Sequence, residues 1–178
     1  MSRIRYSFLF ILILLLPSCT KQNIRHNLKQ MMSRSIVLPE QLERVQADTI
    51  VVIKQPSSAK CVVYIDSSEC MSCRIDRLIR YTALYYSGYE SPLFDLMVIV
   101  SPSLGQKNHV IHQLQLSVDF PVYLDPRNEF LELNPHIPKE KKFHSFLIDK
   151  FGKVIFVGDP TSSDRMMELF LEALRTIQ

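Results

Sequence analysis

The run Cys61-Val62-Val63-Tyr64-Ile65, CVVYI, leads without a break into Asp66-Ser67-Ser68-Glu69-Cys70-Met71-Ser72-Cys73-Arg74, DSSECMSCR. The first five residues are apolar and rich in β-branched side chains, which reads as a strand. From Cys73 onward Ile75, Leu78, Ile79, Thr82 and Tyr86 recur at helical spacing. Two thiols, Cys70 and Cys73, therefore stand where a strand gives way to a helix. Gly88 is placed to end that helix. Leu96 to Val100, LMVIV, is apolar throughout, as in a parallel strand buried on both faces. Strand, helix and strand at this separation make a βαβ unit.

Working outward, Thr49 to Ile53, TIVVI, reads as a preceding strand, and Gln55-Pro56-Ser57-Ser58 as a turn. Downstream, Ser103 to Leu116 carries Val110, Ile111 and Leu114 on one side and reads as a helix. Phe120 to Leu124, FPVYL, reads as a strand, with Pro121 near its start because proline has no amide for the ladder. Asp125-Pro126 reads as an N-cap with proline at the first helical position, and Asn134-Pro135 ends that short helix. Ser145 to Asp149 and Val154 to Val157 flank Lys150-Phe151-Gly152-Lys153, a hairpin with glycine where positive φ is wanted. Thr161 to Asp164 reads as a capping box. The final helix it opens has Met166, Phe170, Ala173, Leu174 and Ile177 as its apolar stripe. The expected fold is α/β, a central mixed sheet flanked by helices, with an N-terminal strand extension.

The chain has 178 residues, 47% hydrophobic and 22% charged, a composition that suits one globular domain. At its start Arg3 and Arg5 precede Phe8 to Leu16, FLFILILLL, which ends at Pro17-Ser18-Cys19. A basic start, a short apolar core and a small residue before a cut point describe a secretory signal. The run is short for a bilayer, which takes about 20 apolar residues. Leu16-Pro17-Ser18-Cys19 resembles a bacterial lipobox, with Pro17 a departure from the commonest pattern. The resemblance implies that Cys19 becomes the lipidated first residue of the mature protein. An uncleaved anchor or plain secretion is the alternative. The organisation expected is a signal over 1–18, a polar and basic tether over 19–35 and a folded domain over 36–178, opening near Ile36-Val37-Leu38-Pro39. Without the two signal arginines, 19 basic side chains face 18 acidic ones. Nothing here indicates a nucleic acid as partner, since that takes a clustered basic face. An exported chain meets conditions in which disulfides persist.

A thiolate, not a thiol, attacks a disulfide, and the ordinary cysteine titrates near about 8.5. A helix N-terminus stabilises the anion with free amides and a partial charge of about half an elementary unit. Cys70 is placed there, Arg74 and Arg77 add positive charge, and Glu69 opposes them. Cys73 follows one helical turn later on the same side, where it can attack a mixed disulfide on Cys70.

The element order, the position of Cys70-x-x-Cys73 and the run FHSFLIDKFGKVIFVGDP from Phe143 to Pro160 resemble the thioredoxin fold. The likeness is to thioredoxin-like envelope lipoproteins and to the redoxin branch that includes cytochrome-maturation reductases, and it covers roughly 36–178. It implies that Cys70 is the exposed nucleophile and Cys73 the less accessible resolving thiol. It implies no cofactor, with other envelope proteins bearing thiols or disulfides as partners and the membrane reached through the lipid on Cys19. The domain would then face the periplasm.

The chain also departs from the family. Glu69 stands where thioredoxins have tryptophan, and Tyr64 stands where they bury an acid; Asp66 is a nearer acid or a turn residue. No proline lies between Pro138 and Pro160, so Phe143 or His144 takes the place of the family's cis-proline. His144 and Arg74 are the supporting residues of the expected site. Other readings stay open. The pair is alternatively a structural disulfide, or the fold is a binding or scaffold module without turnover. A Cu(I) site of two cysteines with His136 or His144 suits soft sulfur. Zinc lacks a second pair of ligands. Peroxidase chemistry is poorly supported, with Val63 and Ser67 at the positions where peroxiredoxins need proline and threonine. Cys61 reads as an inert buried thiol, with a third redox partner as the alternative.

Overall fold

The computed structural model describes residues 16–46, 49–53, 59–90 and 93–177. Most of the expected signal and the turn at 55–58 lie outside these residues. Among the described residues seven strands form one mixed sheet: β1 (Leu42–Gln46), β2 (Thr49–Ile53), β3 (Lys60–Ile65), β4 (Asp95–Val100), β5 (Val122–Leu124), β6 (Ser145–Ile148) and β7 (Val154–Val157). Their spatial order is β2-β1-β5-β4-β3-β6-β7. The three strands β5, β4 and β3 run parallel, and β6 returns antiparallel to β3, with Val63 opposite Ser145. The N-terminal extension is a hairpin rather than one strand, and β1 pairs with β5.

The apolar runs explain the centre. Every residue of β3 is buried, and so is all of β4 except Asp95. Alternation then divides the side chains between two layers. Cys61, Val63 and Ile65 face one core with Val98, Val100, Val110, Leu114, Phe170 and Leu174. Val62 and Tyr64 face the other, with Met31, Phe130, Phe143 and Phe146.

The first layer holds α2 (Met71–Ile75), a 3-10 turn (Leu78–Tyr81), α3 (Thr82–Glu90), α4 (Lys107–Ser117) and the C-terminal α6 (Asp164–Arg175). The single helix expected after Cys73 is thus broken into three pieces, and Gly88 lies inside the last of them. Ile75, Leu78, Tyr81 and Leu84 are buried at a spacing of three, the period of a 3-10 turn. That tighter period leaves Ile79 and Tyr86 exposed, although a 3.6-residue reading puts them in the core.

The second layer holds α1 (Leu16–Met32) and α5 (Glu129–Leu133). Part of the stretch read as a tether is built into the domain. Met31 is fully buried, Leu28 packs beside it, and Asn27 donates to Glu140 at 3.1 Å. Asp125 caps α5 from farther back than expected: its carboxylate accepts from the amides of Glu129 and Phe130. The helix starts after Asn128, at φ 57°, so Pro126 falls in the preceding turn and not at the first helical position. In the last helix the cap is Ser163, which accepts from Met166 N, rather than Thr161.

Candidate functional site

Cys70 and Cys73 lie beyond the C-terminal end of β3, on the edge of the sheet where open α/β folds place their chemistry. They form a disulfide, with Cα atoms 5.4 Å apart. Cys70 is the residue before α2, and its carbonyl accepts from Arg74 N at 3.1 Å. Both cysteines are exposed. Cys73 is thus not sealed under side chains in the oxidised form. α2 buries Met71 and Ile75, one turn apart, which turns Cys73 outward between them.

Two neighbouring loops and one helix fix this segment. Ser103, in the loop after β4, donates through its hydroxyl to Ser67 O at 2.8 Å. Leu104 follows it, wholly exposed. Gln113 of α4 donates to the Ser72 hydroxyl at 3.1 Å. On the third side Lys141, in the short turn before β6, reaches Glu69 at 3.4 Å. Glu69 also pairs with Arg74 at 3.1 Å, and its Oε1 accepts from Asp66 N at 3.3 Å. The Glu69 side chain is 1% exposed, so a buried carboxylate immediately precedes an exposed cysteine in the chain. The sequence carries its charge but no signal of its burial or of its partner Lys141. A glutamate in a polar loop carries no pattern that announces either.

His144 precedes β6 and is buried; its carbonyl accepts from Tyr64 N at 2.8 Å. Its Nε2 is 3.0 Å from Pro138 O, and its ring meets Tyr64 edge-on at 5.4 Å between centroids. Burial pushes the His144 imidazole below its ordinary titration range, against the pull of Glu69 and Asp66. Tyr64 is fully buried, its hydroxyl donates to Asn128 Oδ1 at 2.8 Å, and burial drives its phenol upward. It supports the second core layer as a neutral group.

No family model matches the chain, and no curated protein matches it. Solved structures do. A structure described as a DsbE thiol:disulfide interchange protein from Chlorobium tepidum is 19% identical with a TM-score of 0.51, over 79% of this chain and 98% of that one. A structure described as a protein disulfide isomerase from Bacteroides thetaiotaomicron is 13% identical with a TM-score of 0.50, over 81% of this chain and 89% of that one. At such identities the likeness is one of fold. The chain has the thioredoxin fold.

In this thioredoxin fold, Cys70-Met71-Ser72-Cys73 occupies the first strand-to-helix junction of the parallel sheet. Cys61 is deep in the core, and burial pushes its thiol far above the ordinary range. His136 is buried with an unpartnered Nε2, and burial lowers its titration. Among the described residues no three His, Cys, Asp or Glu side chains group to hold a metal, so the copper arrangement finds no assembled ligand set here. No described helix is long and apolar enough to cross a membrane.

Proposed function

We propose that the chain is a lipid-anchored thiol–disulfide oxidoreductase of the bacterial cell envelope, acting through Cys70 and Cys73. One observation carries the reading: an exposed disulfide at the start of a helix, on the functional edge of a thioredoxin fold. The pair is oxidised and can accept two electrons. A partner thiolate attacks one sulfur, the Cys70–Cys73 bond breaks, and a mixed disulfide forms. A second partner thiolate then attacks that bond, leaving the partner oxidised and both cysteines reduced. Run backward, the Cys70 thiolate attacks a partner disulfide and Cys73 releases the product. Leu104 and the Lys141 turn offer contact surface on either side of the pair.

The envelope setting rests on the basic start, the apolar run and Cys19 at its end. Lipid on Cys19 would hold the domain at a membrane, with other envelope proteins bearing thiols or disulfides as partners. A binding module without turnover is the second reading, supported by Phe143 or His144 in the place of the family's proline and by Tyr64 in the place of its buried acid. Acid quenching of growing cells followed by alkylation separates them. Exchange requires part of the pool to carry reduced Cys70 and Cys73, in a ratio that follows the oxidant supplied. A pair locked as disulfide under every condition supports the module. Metabolic labelling with a fatty acid, lost in Cys19→Ala, tests the anchor.

A further inference from the structure

Glu69 is the strongest feature that the exchange chemistry above leaves unused. Its carboxylate is buried immediately before an exposed cysteine. Taking a carboxylate out of water is costly unless partners offset the loss. Here the partners are Arg74 Nε at 3.1 Å and Lys141 Nζ at 3.4 Å, both approaching Oε2. That oxygen accepts no hydrogen bond with good geometry, so the attraction is one of charge. Arg74 belongs to the turn that Cys70 opens, since its amide bonds the Cys70 carbonyl. Lys141 comes from the turn before β6, and its side chain is largely exposed. Two cations thus converge on the carboxylate of the residue immediately before Cys70, whose sulfur must become an anion.

Resting on the exchange reading, we propose that Glu69 is a positioning residue that sets the redox poise of the pair. It does so by claiming the two cations that would otherwise stabilise the Cys70 thiolate. The remaining groups around it have fixed roles. Asp66, in the same loop, is a second anion and is unchanged in every variant below. Burial disfavours the charged forms of Tyr64, on β3, and of His144, at the start of β6. Both cations are paired with Glu69 and not with Asp66, so the competition for them is between the Glu69 carboxylate and the Cys70 thiolate. A stabilised thiolate stabilises the reduced protein and makes the disulfide the stronger oxidant.

The test uses the purified full chain and three variants, Glu69→Gln, Lys141→Gln and Lys141→Arg. Each is equilibrated with mixtures of reduced and oxidised glutathione. In parallel, the pH profile of iodoacetamide reaction at Cys70 is followed by mass spectrometry on dithiothreitol-reduced protein. In Glu69→Gln the reduced form should gain about tenfold in the glutathione equilibrium, equal to about 30 mV, and the alkylation profile should move to lower pH. Lys141→Gln should move both readouts the opposite way, and Lys141→Arg should stay at the wild-type values. Thermal melts show which variants fold. If Glu69→Gln melts earlier yet keeps the wild-type poise and profile, or shifts in the same direction as Lys141→Gln, the proposal is overturned and Glu69 is a contact of the fold alone. A wild-type pair that never equilibrates with glutathione overturns the exchange reading instead, and the alkylation profiles still decide the role of Glu69.

Discussion

Cys61 and Cys70 stand at the two ends of one segment and have opposite chemistry. Cys61 begins in the core, where burial disfavours its thiolate; Cys70 ends in solvent at a helix start. Alkylation of the reduced, folded protein near pH 8 should therefore label Cys70 and Cys73 readily and Cys61 only after denaturation. Labelling of Cys61 at a similar rate would contradict its placement. His144 makes a prediction about acid. Its folded form disfavours protonation, whereas the unfolded chain takes up the proton near about pH 6.5. The unfolded state thus binds more protons below that value, and stability falls as the pH drops through about 6.5 towards the lowered folded value. His136 acts in the same direction. Denaturant melts between pH 7.5 and 5 should show this loss, and His144→Gln should flatten it; an unchanged slope would count against the assignment. At this scale the cysteine spacing was legible because it needs only neighbours in sequence. The Glu69 ion pair was not, because Lys141 arrives from a distant loop.

Element boundaries show the same division. β3, β4 and the β6–β7 hairpin were legible because a continuous apolar run and a glycine turn are local signals. β1 was not: Leu42 and Val45 point into opposite layers, and Glu43, Arg44 and Gln46 interrupt any alternation. It exists because β5 offers an edge to pair with. The hairpin glycine supplies a test. Gly152 has φ +80°, and a Cβ there would lie 2.5 Å from Ile36 O, whose residue also donates its amide to Gly152 O. Gly152→Ala should cost about 1–3 kcal/mol in denaturant melts; a neutral result would mean that the N-terminal segment does not pack there. Asn134 is a second clasp. It is fully buried, accepts from Val37 N, and donates to Val37 O and Phe130 O. Asn134→Ala should destabilise by a similar amount, since each buried group left unpaired costs about 1–3 kcal/mol.

Across the whole molecule, the domain begins earlier than composition suggests. A polar, basic stretch gave no core signal, yet Met31 at the end of α1 is sealed in the second layer. Met31→Ala should cost about 2–5 kcal/mol, the range for a buried large side chain cut to alanine; an unaltered melt would return α1 to the role of a tether. With α1 docked, a lipid on Cys19 would bring the domain close to its membrane rather than leave it on a long leash. The functional edge would then meet partners within the same envelope layer. Exchange at the Cys70–Cys73 pair predicts that a protein lacking Cys73 traps its partners. Full-length Cys73→Ser, produced in a bacterial envelope, quenched in acid and separated without reductant, should run in part as larger adducts. Those adducts should collapse with reductant and vanish when Cys70→Ser is added. A Cys73→Ser protein that is folded and abundant yet carries no adduct would contradict the account.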